Sequence, residues 1–157
     1  MENETITLEQ FIKTNDIRFT CARVGNRPDG LMSQDGMRHF HCRIYKGAVH
    51  PNSSSFGLYF SQGSAHTVDP TLADVLDCLA SDASGYENAK DAAQYNREKN
   101  QGSLRTEFDE WADEYGYDTD SRKAEKIYKT VKRQAEQLKR TLGAEAYEQL
   151  LWNTERL

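Results

Sequence analysis

Cysteine, proline and long apolar runs are all scarce in this chain of 157 residues. The three cysteines, Cys21, Cys42 and Cys78, are too few for a disulfide framework, so we expect reduced thiols. No apolar stretch approaches the roughly 20 residues that a membrane-spanning helix needs. The opening residues, MENETITLEQF, lack the basic and apolar regions of a secretory signal. We therefore expect a soluble cytoplasmic protein with no membrane partner.

Sequence motifs for catalysis and for cofactor binding are also missing. The chain has no GxxxxGK[ST] or GxGxxG loop, and Ser64 and His66 lack the GxSxG context of a nucleophile elbow. It has neither a CxxC pair nor an HxxxH pair, and on a strand His39 and His41 point away from Cys42. We expect no catalytic residue, no metal and no cofactor. The protein is thus predicted to act by binding and not as an enzyme.

Hydrophobic periodicity predicts an α+β fold. Thr7 and Gln10 stand at the spacing of a capping box and open a short helix that ends near Lys13. Apolar and polar residues then alternate around 17–22, 39–45 and 56–61. This pattern predicts a three-stranded antiparallel sheet with helices packed on its apolar face. The core should contain the following residues: Phe19, Phe40, Leu58, Leu76 and Leu79.

Helical segments make up the rest of the chain. Asp69 and Pro70 suit the start of a helix that covers the sheet and ends near Gly85. Residues 86–105 are expected to form a polar connection that is either a solvated helix or a mobile link. Residues 106–157 should form a helical hairpin followed by a last helix after Gly143. Thr106 opens the first helix of the hairpin. Ser121 opens the second, which is long and amphipathic. Residues 1–157 are expected to be one domain.

Charge is distributed unevenly along the chain. Residues 69–120 hold four basic and fourteen acidic side chains, whereas residues 121–157 hold nine basic and five acidic ones. Seven of the carboxylates lie close together in EFDEWADEYGYDTD, without a base: Glu107, Asp109, Glu110, Asp113, Glu114, Asp118 and Asp120. This acidic segment either docks on the basic helix that follows it or forms an exposed acidic, aromatic surface. Such a surface would imitate the phosphates of a nucleic acid or grip an arginine-rich protein groove.

Two other surfaces are candidates for binding. On the long helix, basic side chains lie opposite the apolar stripe: Arg122, Lys126, Lys129, Arg133 and Arg140. This face either binds phosphate or an acidic protein, or it is an ordinary solvated outer face. The polar face of the sheet, unless helices cover it, collects side-chain types that are enriched at interfaces: Arg18, His39, His41, Arg43, Tyr45 and Tyr59.

Four long phrases of the chain are distinctive: GLMSQDGMRHFHCRIY, FSQGSAHTVDPTLADVLDCLASDASGYEN, FDEWADEYGYDTDSRKAEKIY and LLWNTERL. Together they resemble a family of small proteins encoded by bacteriophages and prophages, with residues 89–106 as an added segment. Small acidic phage proteins of this kind resemble anti-CRISPR proteins and other inhibitors of host defence. The resemblance implies a protein of the host bacterial cytoplasm that binds and blocks a defence effector, namely a CRISPR–Cas complex, through the acidic segment. The alternative is a phage accessory protein that binds nucleic acid through the basic helix.

Overall fold

The computed structural model describes residues 4–24, 38–47, 55–62, 69–99 and 106–155. In chain order, their elements are β1 (Ile6–Thr7), α1 (Leu8–Thr14), β2 (Ile17–Val24), β3 (Arg38–Lys46), β4 (Ser55–Gln62), α2 (Leu72–Lys99), α3 (Glu107–Glu114), α4 (Arg122–Leu142), α5 (Ala144–Trp152) and β5 (Thr154–Glu155). The predicted α+β class is confirmed. In these parts of the chain, each helix is too short or too polar to cross a membrane.

Strands β2, β3 and β4 form the predicted antiparallel sheet in that order. Phe40, Cys42 and Ile44 of β3 are completely buried, while Arg18 and Thr20 on the opposite face of β2 are exposed. The alternation in the sequence therefore assigned the correct face to the core. Phe40, Leu58, Leu76 and Leu79 belong to one buried cluster, and Phe19 packs half-buried against it.

Helix α4, and not α2, covers the apolar face of the sheet. Helix α4 contacts β3 and β4 of the sheet, and it also contacts α2, α3 and α5. The prediction that the helix after Pro70 is the cover was therefore wrong. The buried side of α2 contains four alanines: Ala80, Ala83, Ala89 and Ala93. Such small side chains suit the close packing of one helix on another better than they suit covering a broad sheet.

Helix α2 is longer than the sequence predicts and begins later. Its cap is Thr71, whose hydroxyl accepts a hydrogen bond from Asp74 N–H at 3.1 Å while the Asp74 carboxylate accepts from Thr71 N–H at 3.0 Å. The helix continues through Gly85 to Lys99, so the predicted cap at Asp69 and the predicted end near Gly85 are both wrong. Residues 86–99 are helical, with Tyr86 and alanines buried beyond the glycine, and this burial offsets the roughly 1 kcal/mol that a mid-helix glycine costs.

The other helix boundaries follow their local signals. Capping boxes at Thr7 and Thr106 open α1 and α3, and the Ser121 hydroxyl accepts from Ala124 N–H at 3.1 Å to open α4. Gly143, with a φ of 90°, separates α4 from α5. These predicted starts and this break are confirmed because each signal involves residues that are close in sequence.

The two ends of the described chain pair with each other. Strands β1 and β5 run parallel, with Ile6 opposite Thr154. The amide of Gln149 donates to the carbonyl oxygens of Glu4 and Asn153, at 3.3 and 2.6 Å, and so ties α5 to this pair. Strands of two residues carry no periodic pattern, and the sequence did not predict them.

We expect Leu76→Ala to lower the free energy of unfolding by roughly 2–5 kcal/mol, because it leaves a cavity in the core. Leu76 is completely buried on α2. The control is Asn88→Ala on the same helix, where the side chain is exposed and the change should be within about 0.5 kcal/mol. Urea unfolding measures both values, and equal values would contradict the burial of Leu76.

Candidate partner-binding surface

The first half of the acidic segment is engaged within the protein. The Asp109 carboxylate accepts a hydrogen bond from Thr106 N–H at 2.9 Å and so caps α3. Glu110 accepts one from the Asn96 amide of α2 at 2.8 Å. The negative charge of Glu107 adds to the burial that raises the pKa of the Tyr128 hydroxyl. Asp109 and Glu110, two of the predicted site residues, thus hold α3 in place.

An aromatic cluster joins α3 to α4. Trp111 is buried at its centre, with its ring centroid 5.4 Å from that of Tyr128 on α4. Phe108 meets the same tyrosine edge-on, also at 5.4 Å. The acidic segment and the basic helix thus meet through rings. Lys129 pairs instead with Glu125 of its own helix, at 3.1 Å.

The second half of the acidic segment faces solvent. Asp113, Glu114, Asp118 and Asp120 are exposed, as are Tyr115 and Tyr117, at 47% and 37%. Gly116, with a φ of 72°, lets the chain reverse so that Tyr117 N–H donates to the Ala112 carbonyl at 2.8 Å. The Tyr117 ring then stacks on Trp111 at 5.4 Å and 11°. The exposed tyrosine is therefore held by a buried ring beneath it.

Helix α2 contributes to the same surface. Tyr115 lies across Gly85, so closely that a Cβ at this position would overlap its hydroxyl. Partial burial raises the pKa of Tyr115, and the carboxylates of Asp82 and Glu114 add to the effect, so the hydroxyl remains a donor at neutral pH. Because Asp82 is also exposed, the surface spans two helices. We call it the acidic tyrosine surface: Asp82, Asp113, Glu114, Tyr115, Tyr117, Asp118 and Asp120.

Sequence reasoning missed Asp82. Its spacing of three residues from Gly85 puts the two on one side of a helix, but only if the helix continues through the glycine. The predicted helix end near Gly85 concealed that relation. Because α2 is continuous, Asp82 lies near Tyr115, the tyrosine that packs across Gly85.

The two alternative surfaces lie elsewhere on the fold. The bases of α4 are exposed opposite its buried stripe: Arg122, Lys126, Lys129, Arg133 and Arg140. On the polar face of the sheet, Arg18 is exposed and forms a two-point ion pair with Asp16, at 3.0 and 3.2 Å.

The remaining polar residues of the sheet are less accessible. His41, Arg43 and Tyr45 are half-buried, and His39 is buried with no hydrogen-bond partner for Nε2 among the described residues. Tyr59 stands opposite His41 in the register, but its side chain lies outside the described part of the chain.

A groove of about 440 Å³ lies between α2, α4 and α5. Tyr86 and Tyr147 are buried in its lining. Lys90 pairs with Glu87 at 3.2 Å, and Lys139 stands 5.8 Å from the ring centroid of Tyr147. The lysines of the groove are thus engaged with its own acids and rings. Within the described ranges, the structure brings no three histidine, cysteine or acidic side chains together as metal ligands.

Comparison of the chain with models of known families, with curated proteins and with solved structures gives no match. The resemblance to phage proteins therefore stays a prediction.

The contact of Tyr115 with Gly85 predicts coupled substitutions. In a Tyr115→Ala background, Gly85→Ala should raise the free energy of unfolding by about 0.5–1 kcal/mol, because alanine favours a helix over glycine. In the wild-type background this gain should vanish or reverse, since the new Cβ displaces the tyrosine ring. A double-mutant cycle in urea measures the coupling. Identical effects in both backgrounds would show that Tyr115 does not rest on α2.

Proposed function

We propose that the protein is an inhibitor that acts by binding, with its acidic tyrosine surface occupying a basic groove of a bacterial defence effector. One observation carries the proposal: exposed carboxylates flank two tyrosines, one of which is stacked on a buried tryptophan and the other packed against a glycine of α2. Tyrosine in a fixed position is a favoured anchor at protein interfaces, because little side-chain entropy is lost on binding.

The carboxylates of this surface are exposed. Exposed charges typically contribute less than about 1 kcal/mol to folding, but they steer association with an oppositely charged surface and select against wrong partners. A surface that combines acidic side chains with aromatic rings offers a protein groove the charge pattern of a nucleic acid. This supports a partner whose groove normally holds nucleic acid.

A CRISPR–Cas effector complex is the partner class that we propose. Such complexes hold a guide–target duplex in a positively charged channel. The resemblance of the sequence to phage proteins adds a setting, the cytoplasm of an infected bacterium. The inhibitor would occupy the channel sterically and needs no catalytic group.

A second candidate function is nucleic-acid binding through α4. The observation that favours it is the row of exposed bases on the solvent side of this helix: Arg122, Lys126, Lys129 and Arg133. A row of bases along one helix face can follow a phosphate backbone.

We expect Glu114→Lys with Asp118→Lys to abolish inhibition, because the variant presents like charges to a basic groove. The assay is target-DNA binding by purified, guide-loaded CRISPR–Cas effectors in a mobility-shift experiment, with inhibitor added. The loss should be about 100-fold or more, while the thermal midpoint stays within roughly 3 °C. Asp109 and Glu110 are avoided because they cap and dock α3. Asp120 is avoided because an acid next to the start of α4 favours that helix.

The matched control reverses as many charges on the other surface. Lys126→Glu with Arg133→Glu should leave inhibition unchanged; Lys129 is left intact because it pairs with Glu125. Inhibition that survives the acidic reversal and fails with the basic one would overturn the proposed surface. Effectors that neither bind nor respond to the wild-type protein would overturn the partner class.

The second candidate predicts salt-dependent binding of short duplex DNA, measured by fluorescence anisotropy. The affinity of the wild-type protein for DNA should fall steeply as the salt concentration is raised from about 50 to 200 mM. The reason is that lysine and arginine side chains displace counterions from the DNA phosphates when they bind. Lys126→Glu with Arg133→Glu should remove this binding, and Glu114→Lys with Asp118→Lys should not. No binding by the wild-type protein at the lowest salt would eliminate this candidate.

A further inference from the structure

Two thiols meet across β2 and β3. Cys21 and Cys42 are register partners, and their sulfur atoms lie 3.4 Å apart. Both cysteines are free. They lie on the face of the sheet that carries the core, where Cys42 is completely buried and Cys21 half-buried.

The strands already provide the backbone geometry of a disulfide. Directly opposed residues of antiparallel strands have Cα atoms about 4.5–5.5 Å apart, within the roughly 4.4–6.8 Å that a disulfide spans. The two sulfur atoms would have to approach from 3.4 Å to about 2.05 Å. We infer that Cys21 and Cys42 form an oxidation site, at which a low-molecular-weight disulfide such as glutathione disulfide closes an intramolecular bridge.

The two cysteines have different accessibility and therefore different roles. Cys21 lies on β2, an edge strand of the sheet, and is partly exposed, so a small disulfide can reach it. Burial raises the pKa of Cys42, and the neighbouring Cys21 adds to the effect. Cys42 is therefore shielded from oxidant in solution and reacts only with a sulfur brought next to it.

The reaction is a pair of thiol–disulfide exchanges. The Cys21 thiolate attacks one sulfur of glutathione disulfide, forms a mixed disulfide and releases one glutathione thiolate. The Cys42 sulfur then attacks the Cys21 sulfur and displaces the second glutathione, which takes the Cys42 proton. The first glutathione thiolate takes the proton that Cys21 lost on ionisation. In total the protein loses two protons and two electrons, and one glutathione disulfide becomes two glutathione thiols.

The bridge would fix β2 to β3 at the middle of their ladder. A covalent bond between Cys21 and Cys42 excludes a shift of register between the two strands. Arg18 and Arg43 stand on these same strands, on the opposite face, so oxidation would also fix the spacing of the polar side chains there.

The test uses the full chain with Cys78→Ser, because Cys78 is exposed and could otherwise react by itself. The folded protein is incubated with glutathione disulfide, quenched with acid, and denatured for maleimide labelling and intact mass measurement. We expect both remaining thiols to be lost, the mass to fall by about 2 Da and dithiothreitol to restore both thiols. Survival of both thiols, or a disulfide-linked dimer, would overturn the inference.

Single variants in the same background separate the two roles. With Cys42→Ser, the reaction should stop at a glutathione adduct on Cys21. With Cys21→Ser, the Cys42 thiol should remain unmodified while the protein is folded. A stable adduct on Cys21 when Cys42 is intact would show that the two sulfurs do not meet, and this outcome would also overturn the inference.

Discussion

Burial of the apolar side of α4 is the interaction on which the other elements depend. This helix buries seven residues from Ala124 to Leu142, and its neighbours are β3 and β4 of the sheet together with α2, α3 and α5. The buried side chains of α4 therefore join the sheet and the helical part of the protein into one core. The end of α4 is also tied to the sheet, since Lys46 of β3 donates to the Leu142 carbonyl at 3.1 Å and supplies positive charge where the helix dipole is negative.

The position of α4 explains why the acidic and basic segments present separate surfaces. Its buried stripe includes Tyr128, which receives Phe108 and Trp111 of α3, so its bases must point outward. The carboxylates that follow Trp111 are then carried on a turn that the same ring cluster supports. The acidic and the basic side chains, although adjacent in sequence, thus form two separate surfaces, which can attract different kinds of partner.

Features with local signals could be predicted from the sequence. The sheet followed from the alternation around Phe40, and the starts of α1, α3 and α4 followed from Thr7, Thr106 and Ser121. The length of α2 could not be predicted, because a distant residue, Tyr115, fills the space beside Gly85. The acidic residues were recognisable, but their division into structural and exposed groups depends on contacts such as that of Asn96 with Glu110.

The pairing of β1 with β5 brings the first and the last strand of the described chain together. The contact between Ile6 and Thr154 joins residues that are almost the whole sequence apart. Closing such a long loop lowers the entropy of the chain before the contact can add to stability. A ladder of two residues is too short to nucleate folding by itself. Strands β1 and β5 should therefore pair late in folding. This pair should also open locally, with rapid hydrogen exchange at Ile6, while the core around α4 stays protected.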